Sequence, residues 1–311
     1  MSASARSVGA GAIATAVLLS AVWGANIVAI KITFEAAEPM WSAFWRMLLG
    51  LPVLALWPLF GGARLRPEPS EWRWLMILGV LFGFQIVLLN ISLDLTSAAY
   101  CATLFNAAPI FTNLLAHFYA EGDRLSRRRV IGLIVAFGGV GMVLLGKPDA
   151  RLAPAPLLGN LLAVSTAMLV GVRMVYTKRL VKSIDPTRTI FWQVAFSVPV
   201  FLAGAALFED PSIEWAWRPA LAMLYCSWGA VGIAFIVWAR LIKEHPPGLI
   251  SVFVFPTPLF GVLFSALLFG EALSAALIVG AVAVALGILI VTWERQGRET
   301  VAVPVEARKA A

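Results

Sequence analysis

Charge is scarce in this chain. Asp, Glu, Lys and Arg make up 13% of its 311 residues against 60% from the apolar set, and the mean hydropathy is +0.87. A water-soluble domain breaks its apolar runs every few residues, because each helix or strand must present one wet face. That interruption is missing, which excludes an ordinary soluble fold. Histidine is limited to His117 and His245, and cysteine to Cys101 and Cys226. So sparse a supply excludes a disulfide framework and a metal-spaced cluster, and both cysteines fall in apolar runs, where they read as small packing residues. The motifs G-x-x-x-x-G-K-S/T, H-E-x-x-H and G-x-S-x-G are all missing. Their absence excludes ATP hydrolysis by this chain and leaves little for hydrolytic chemistry. No cofactor, metal or catalytic residue is expected.

What is present is a series of long apolar runs. Ser7 to Ile30, Trp74 to Leu93, Leu95 to Ala120, Leu152 to Val172, Thr189 to Phe208, Pro219 to Ala239, Pro246 to Gly270 and Ala272 to Trp293 contain no Asp, Glu, Lys or Arg. A hydrocarbon core of about 30 Å needs about 20 helical residues, and each run has them. Pro39 to Phe60, with a single Arg46, and Val130 to Gly146 bring the expected total to ten. The reading is an all-α integral membrane protein of ten transmembrane helices. The first run is too long for a signal-peptide core and no A-x-A-like site follows it, so it is read as a retained span.

The positive residues sort by side. With the N-terminus in the cytoplasm, 18 of the 24 Lys and Arg residues fall on that side, among them Arg127, Arg128 and Arg129. Lys31, Lys147, Arg151 and Arg218 fall on the other, and Arg46 and Arg173 lie inside spans. The positive-inside rule therefore places both termini in the cytoplasm. The net charge of +7 is thus a set of bilayer anchors and not a nucleic-acid face.

A shift of 147 residues lays the first two spans on the sixth and seventh. Gly24 meets Gly171, Lys31 meets Lys178, Pro39 meets Pro186, Phe44 and Trp45 meet Phe191 and Trp192, and Pro52 meets Pro199. Further on, a shift of 149 pairs Pro109 and Phe111 with Pro258 and Phe260, and a shift of 148 pairs Gly132 and Gly139 with Gly280 and Gly287. The repeat is five helices long, and because five is odd the second copy enters the membrane from the opposite side. Inverted repeats of this kind are typical of secondary transporters, since two oppositely oriented copies can exchange outward-open and inward-open states. The organisation expected is a first five-helix repeat at 1–150, a second, inverted one at 151–296 and a cytoplasmic tail at 297–311.

The stretches Trp23-Gly24-Ala25-Asn26, Thr96-Ser97-Ala98-Ala99, Pro109 to Ala116, Gly122 to Ser126 and Phe269 to Ser274 resemble the EamA-type drug/metabolite transporter superfamily over nearly the whole chain. The resemblance implies two inverted five-helix repeats around a central cavity and the export of amino acids, other metabolites or drugs. The second copy departs from it, with Val170-Gly171 in place of Trp-Gly and Arg173 where the first copy has Asn26.

Polar groups at membrane depth are costly, so those present should line a cavity or find partners. Arg173 leads the candidates for cargo contact, able to meet a carboxylate or phosphate, with Tyr176 on roughly the same helical face. The alternative is a side chain that snorkels to the interface. Thr103, Asn106, Asn113 and His117 recur at i, i+3, i+10 and i+14, which places all four on one helical stripe serving either cargo or interhelical bonding. Asn26, with Trp23 one turn before it, and Gln85 follow. Trp228, Trp238 and Tyr100 offer rings for an aromatic cargo or for packing. Arg46 is expected to partner backbone carbonyls.

No Asp or Glu lies mid-span: Asp94, Asp123 and Glu271 sit at span ends, which favours a facilitative exporter over an ion-coupled one. The expected partners are a small-molecule substrate and the lipid bilayer. Small-residue stripes, Gly132-Ala136-Gly139 in the fifth span and Ala276-Gly280-Ala283-Gly287 in the tenth, permit close packing within the chain or in a homodimer. A lipid-acting membrane enzyme, a non-transporting receptor and an uptake carrier are the competing readings. With 18 Arg against 6 Lys and no long loops, the composition suits a bacterial inner membrane.

Overall fold

The computed structural model describes residues 9–56, 64–119, 126–214, 216–244 and 253–301, and within these the chain is helix and turn without a strand. Helices α1 (Ala10–Thr33) and α3 (Trp72–Leu95) are predominantly apolar rods of 24 residues, long enough to cross a hydrocarbon core. Helices α2 (Pro39–Leu56), α7 (Pro156–Leu180) and α8 (Pro186–Phe208) each open on a proline, whose missing N–H would have no helical partner in the first turn. Asp185 caps α8 by accepting from the Thr187 and Arg188 amides.

Two expected spans are not single α-helices. The fourth is divided at Asn106–Ala107 into α4 (Ala98–Phe105) and α5 (Ala108–Tyr119). Pro109 is the second residue of α5, just as Pro258 is the second residue of α11 (Thr257–Phe269). In both places the proline begins a new helical piece. The eighth span consists of α9 (Trp217–Leu224), a π-helical segment (Tyr225–Ile233) and α10 (Ala234–Glu244). A π-helix bonds i to i+5 and so takes more residues per turn. It lies in the part of the chain where the repeat offset grows from 147 to 149, so the inserted residues have a place within the helix.

Helices α6 (Arg127–Leu144) and α12 (Ala275–Val301) complete the set. α12 runs to Val301, past the boundary expected at 296. Among the described residues eight helical stretches are long and apolar enough to cross a membrane. α11 is a shorter apolar helix of 13 residues, its expected beginning at 246–252 lying outside the described residues. α6 is 18 residues long, and three arginines crowd its first turn. Large apolar side chains stand bare on the outside of the bundle, among them Phe84, Ile134 and Leu267, each more than half exposed. A lipid-facing surface requires just that.

Glycines set the closest approaches. α1 packs on α11 and α5 on α7. A Cβ added to Gly24 of α1 would stand 2.7 Å from the Phe260 Cβ, and one on Gly171 of α7 would stand 3.1 Å from the Phe111 Cβ. α6 and α12 meet along Gly132, Gly139, Gly280 and Gly287: a Cβ on Gly287 would lie 2.6 Å from the Gly132 carbonyl oxygen. The small-residue stripes of the fifth and tenth spans therefore pack on each other within one chain.

The ends of the bundle are tied between the two halves. At one end Glu209, just after α8, accepts from the Met40 and Trp41 amides at the start of α2, at 2.7–2.9 Å. At the other end Arg188 of α8 bonds both Glu71 oxygens, at 2.5–2.6 Å, and the Trp192 indole donates to the Leu65 carbonyl.

Candidate functional site

Arg173 is buried where α3, α7 and α8 meet. Its Nε donates to Gln85 Oε1 on α3 at 2.6 Å, and its Nη1 to Gln193 Oε1 on α8 at 2.9 Å. The Phe82 ring lies under the guanidinium, 5.3 Å from its carbon. All three polar residues are buried, at 8%, 2% and 8% exposure for Arg173, Gln85 and Gln193. Among the described residues no carboxylate lies within ion-pair distance of Arg173. The cluster is thus a permanent cation held by neutral amides. Two of its members, Arg173 and Gln85, are legible in the sequence. Gln193 was missed, although the 147-residue shift sets it over Arg46 and so marks a polar position in both copies.

The first half reverses that arrangement. Asn26 stands where the second half has Arg173, and Arg46 where it has Gln193. Arg46 is buried and its Nη2 donates to Asn90 Oδ1 at 3.0 Å, while Asn90 passes the connection on to the Pro39 carbonyl at 2.7 Å. Arg46 therefore reaches a backbone carbonyl through an asparagine and not directly. Several nearby groups in sequence are buried without a hydrogen-bond partner among the described residues: Asn26 Oδ1, Arg46 Nε, and the indole nitrogens of Trp41 and Trp45.

Trp23 and Trp238 meet edge to face with ring centroids 5.6 Å apart, and Phe235 adds a third ring 5.9 Å from Trp23. The Trp23 indole donates to the Ala230 carbonyl at 3.4 Å, at the edge of hydrogen-bonding distance. This aromatic group joins α1 to α10.

The other candidates stand apart from both clusters. Tyr100 is fully buried, with its hydroxyl 3.1 Å from Ser274 Oγ. Because the fourth span breaks at Asn106–Ala107, Thr103, Asn106 and Asn113 do not share one continuous helical stripe. Each instead donates to a carbonyl four residues back: Ala99, Ala102 and Pro109. Tyr176 donates to the Trp74 carbonyl and Trp228 to the Leu49 carbonyl, each at 3.2 Å, joining neighbouring helices. Glu271, placed at a span end by the sequence, is a buried carboxylate that accepts from the Ser265 hydroxyl at 2.7 Å.

Comparison with known proteins follows the same division into halves. The EamA-like transporter family matches residues 10–145 and again 157–293. Similar proteins include the uncharacterized transporter YoaV of Bacillus subtilis, 22% identical over 88% of this chain and 93% of that protein. A probable amino-acid metabolite efflux pump of Escherichia coli is 23% identical, over 93% of this chain and 97% of the pump. A solved crystal structure shares the fold at a TM-score of 0.65 and 22% identity, covering 92% of this chain and 99% of that one.

Proposed function

The chain belongs to the EamA-like transporter family, and from that premise we propose that it is a ten-helix secondary transporter exporting small metabolites, amino acids first among them, by alternating access. The reading rests on one observation, the reciprocity of the glycine contacts. Gly24 of α1 is pressed on Phe260 of α11, and its repeat counterpart Gly171 of α7 is pressed on Phe111, the counterpart of Phe260. Two halves that use the same contacts in opposite orientations can exchange roles, which alternating access requires. The two family matches, one per half, support the same division. The eight apolar helices with α6 and α11 make up the ten passes, and the arginines that begin α6 become a cytoplasmic anchor.

Both termini then face the cytoplasm, and the membrane is the bacterial inner membrane. The cargo assignment draws on the printed name of the Escherichia coli relative, an amino-acid metabolite efflux pump. The Trp23–Trp238–Phe235 group supports aromatic amino acids in particular. Nucleosides, sugars and drugs are the alternative cargo. If two copies pair, they do so through the outer faces of α6 and α12, where Ile131, Ile134, Val279 and Val282 are exposed.

The test is counterflow in proteoliposomes, with a labelled amino-acid mixture that includes tryptophan and phenylalanine and with no imposed ion gradient. Saturable flux that falls with Trp23→Ala supports a facilitative amino-acid carrier. A folded protein that moves none of the mixture rejects the cargo, and nucleosides and sugars become the next probes.

A further inference from the structure

Arg173 has hydrogen-bonding capacity left over. Its Nε and Nη1 are used, but among the described residues neither its Nη2 nor the amide nitrogens of Gln85 and Gln193 have a hydrogen-bond partner. None of these three nitrogens is among the sealed, partnerless atoms of the interior. Three donor nitrogens therefore remain unused around a single positive charge, with no acceptor and no counter-ion beside them among the described residues.

Snorkelling does not account for the cluster. Arg173 lies seven residues before the end of α7 at Leu180, about 10 Å along the axis. Helical side chains lean toward the N-terminus of their own helix, which on α7 is away from the Lys178–Arg179 end. Gln85, the partner of Nε, lies 13 residues after the start of α3, about 20 Å along it. The guanidinium is thus held toward mid-membrane and away from the basic end of its helix. A charge kept there without a counter-ion is unfavourable. It is retained at less cost if the missing anion is supplied from outside the fold.

We propose that Arg173, braced by Gln85 and Gln193, is the recognition site for the carboxylate of the cargo, so that the transported molecules are monocarboxylates. The inference rests on the carrier reading above and adds its substrate class. A planar guanidinium edge with flanking amide N–H groups suits a carboxylate. One fixed cation among neutral amides balances one negative charge, which favours a monoanion over a phosphate dianion. The described parts of the membrane-spanning core offer the cargo no acidic counterpart at this cluster, so an ammonium group on the cargo is tolerated and not required. The first half also buries an arginine, Arg46, but its Nε is sealed from any ligand and Asn26 stands at the place of Arg173, so the site lies in the second half and gives the cargo a fixed end-to-end orientation.

The experiment uses the full chain in nanodiscs and three matched probes: phenylalanine, 3-phenylpropionate and phenylalaninamide. Equilibrium binding and the thermal unfolding midpoint are read for each. Both carboxylates should bind about tenfold or more tightly than the amide, and Arg173→Gln should erase that preference. Arg173→Lys, a point charge without the planar fork, should retain part of it. Gln193→Glu places a carboxylate beside the guanidinium, so it should raise the unfolding midpoint while blocking the carboxylate probes. A purely structural Arg173 would gain the stability and leave probe binding unchanged. Equal binding of acid and amide, binding of no probe, or a carboxylate preference that survives Gln193→Glu overturns the proposal. Counterflow of the same probes separates the two readings: selective binding without flux sinks the carrier and spares the site, whereas flux blind to the carboxylate does the reverse.

Discussion

Gly139 and Gly280 face each other so closely that a Cβ on Gly139 would stand 2.6 Å from the Gly280 carbonyl oxygen. No rearrangement of a flexible side chain can relieve that contact, because backbone is on both sides. Gly139→Val should therefore lower stability by about 1–3 kcal/mol, the usual cost of overpacking. Gly138 and Gly141 lie on the same helix and have nothing within 4 Å of an added Cβ. Replacing either by alanine should be neutral or stabilising, by up to about 1 kcal/mol. Thermal unfolding in detergent distinguishes the two classes, and equal losses at Gly139 and Gly138 would refute the packing account.

Lys31 secures one end of the bundle. Its ammonium donates to the carbonyls of Leu93 at 2.8 Å, Leu152 at 2.7 Å and Thr96. Three carbonyls from the end of α3 and the segment before α7 are thus met by one ammonium, which has three N–H groups to give. Lys31→Met keeps the aliphatic stem and removes the charge, leaving those oxygens unpaired. A loss of about 1–3 kcal/mol is expected from desolvated, unmet acceptors. Hydrogen exchange at the last turn of α3 should rise selectively, and unchanged protection there would contradict the assignment.

The Arg188–Glu71 pair is largely buried, its side chains 13% and 9% exposed. Removing one partner strands the other charge, so Glu71→Gln and Arg188→Met should each destabilise by about 3 kcal/mol, with the double substitution milder than the sum. A double-mutant cycle on unfolding measures the coupling. Strict additivity would show that the pair holds nothing together.

Glu209 caps α2 from the other half of the chain. Burial pushes its carboxyl pKa up from the ordinary 4.5, while the Met40 and Trp41 amides pull it the other way. The folded protein therefore holds the proton more tightly than the unfolded chain. The contribution of this residue to stability is fully present below the unfolded value and declines as pH rises through the folded one. Glu209→Gln should remove that dependence, so the unfolding midpoint of the variant should gain on the native chain as pH rises above 4.5. A difference that stays constant over this range would rule out the linkage.

Much of the helical layout is legible in the sequence, and for reasons particular residues make plain. Pro39 begins both the expected run and α2, because a proline needs no hydrogen-bond partner in the first turn; α7 and α8 likewise begin at Pro156 and Pro186, where charge alone bounded the runs at Leu152 and Thr189. The pairing of Gly24 with Gly171 is visible as a 147-residue offset, and each proves to be a point of backbone contact. The break at Asn106–Ala107 has its signal in Pro109, which interrupts the fourth apolar run as Pro256 and Pro258 interrupt the ninth; the π-helical segment was not legible. Apolar runs carry no period that distinguishes α from π.

By itself the sequence determined the solvent and the duplication: lack of charge demands a bilayer, and repeated Gly, Pro and Trp positions reveal two copies. Only the tertiary structure decided which polar groups meet. Gln85 and Arg173 are 88 residues apart, and nothing local to either names the other. Asn106 and Asn113 look equally eligible in the sequence but bond to their own helix. The physical reason is that a polar side chain in an apolar helix must find a partner somewhere, and whether that partner is its own backbone or a neighbouring helix depends on the packing of α3, α7 and α8.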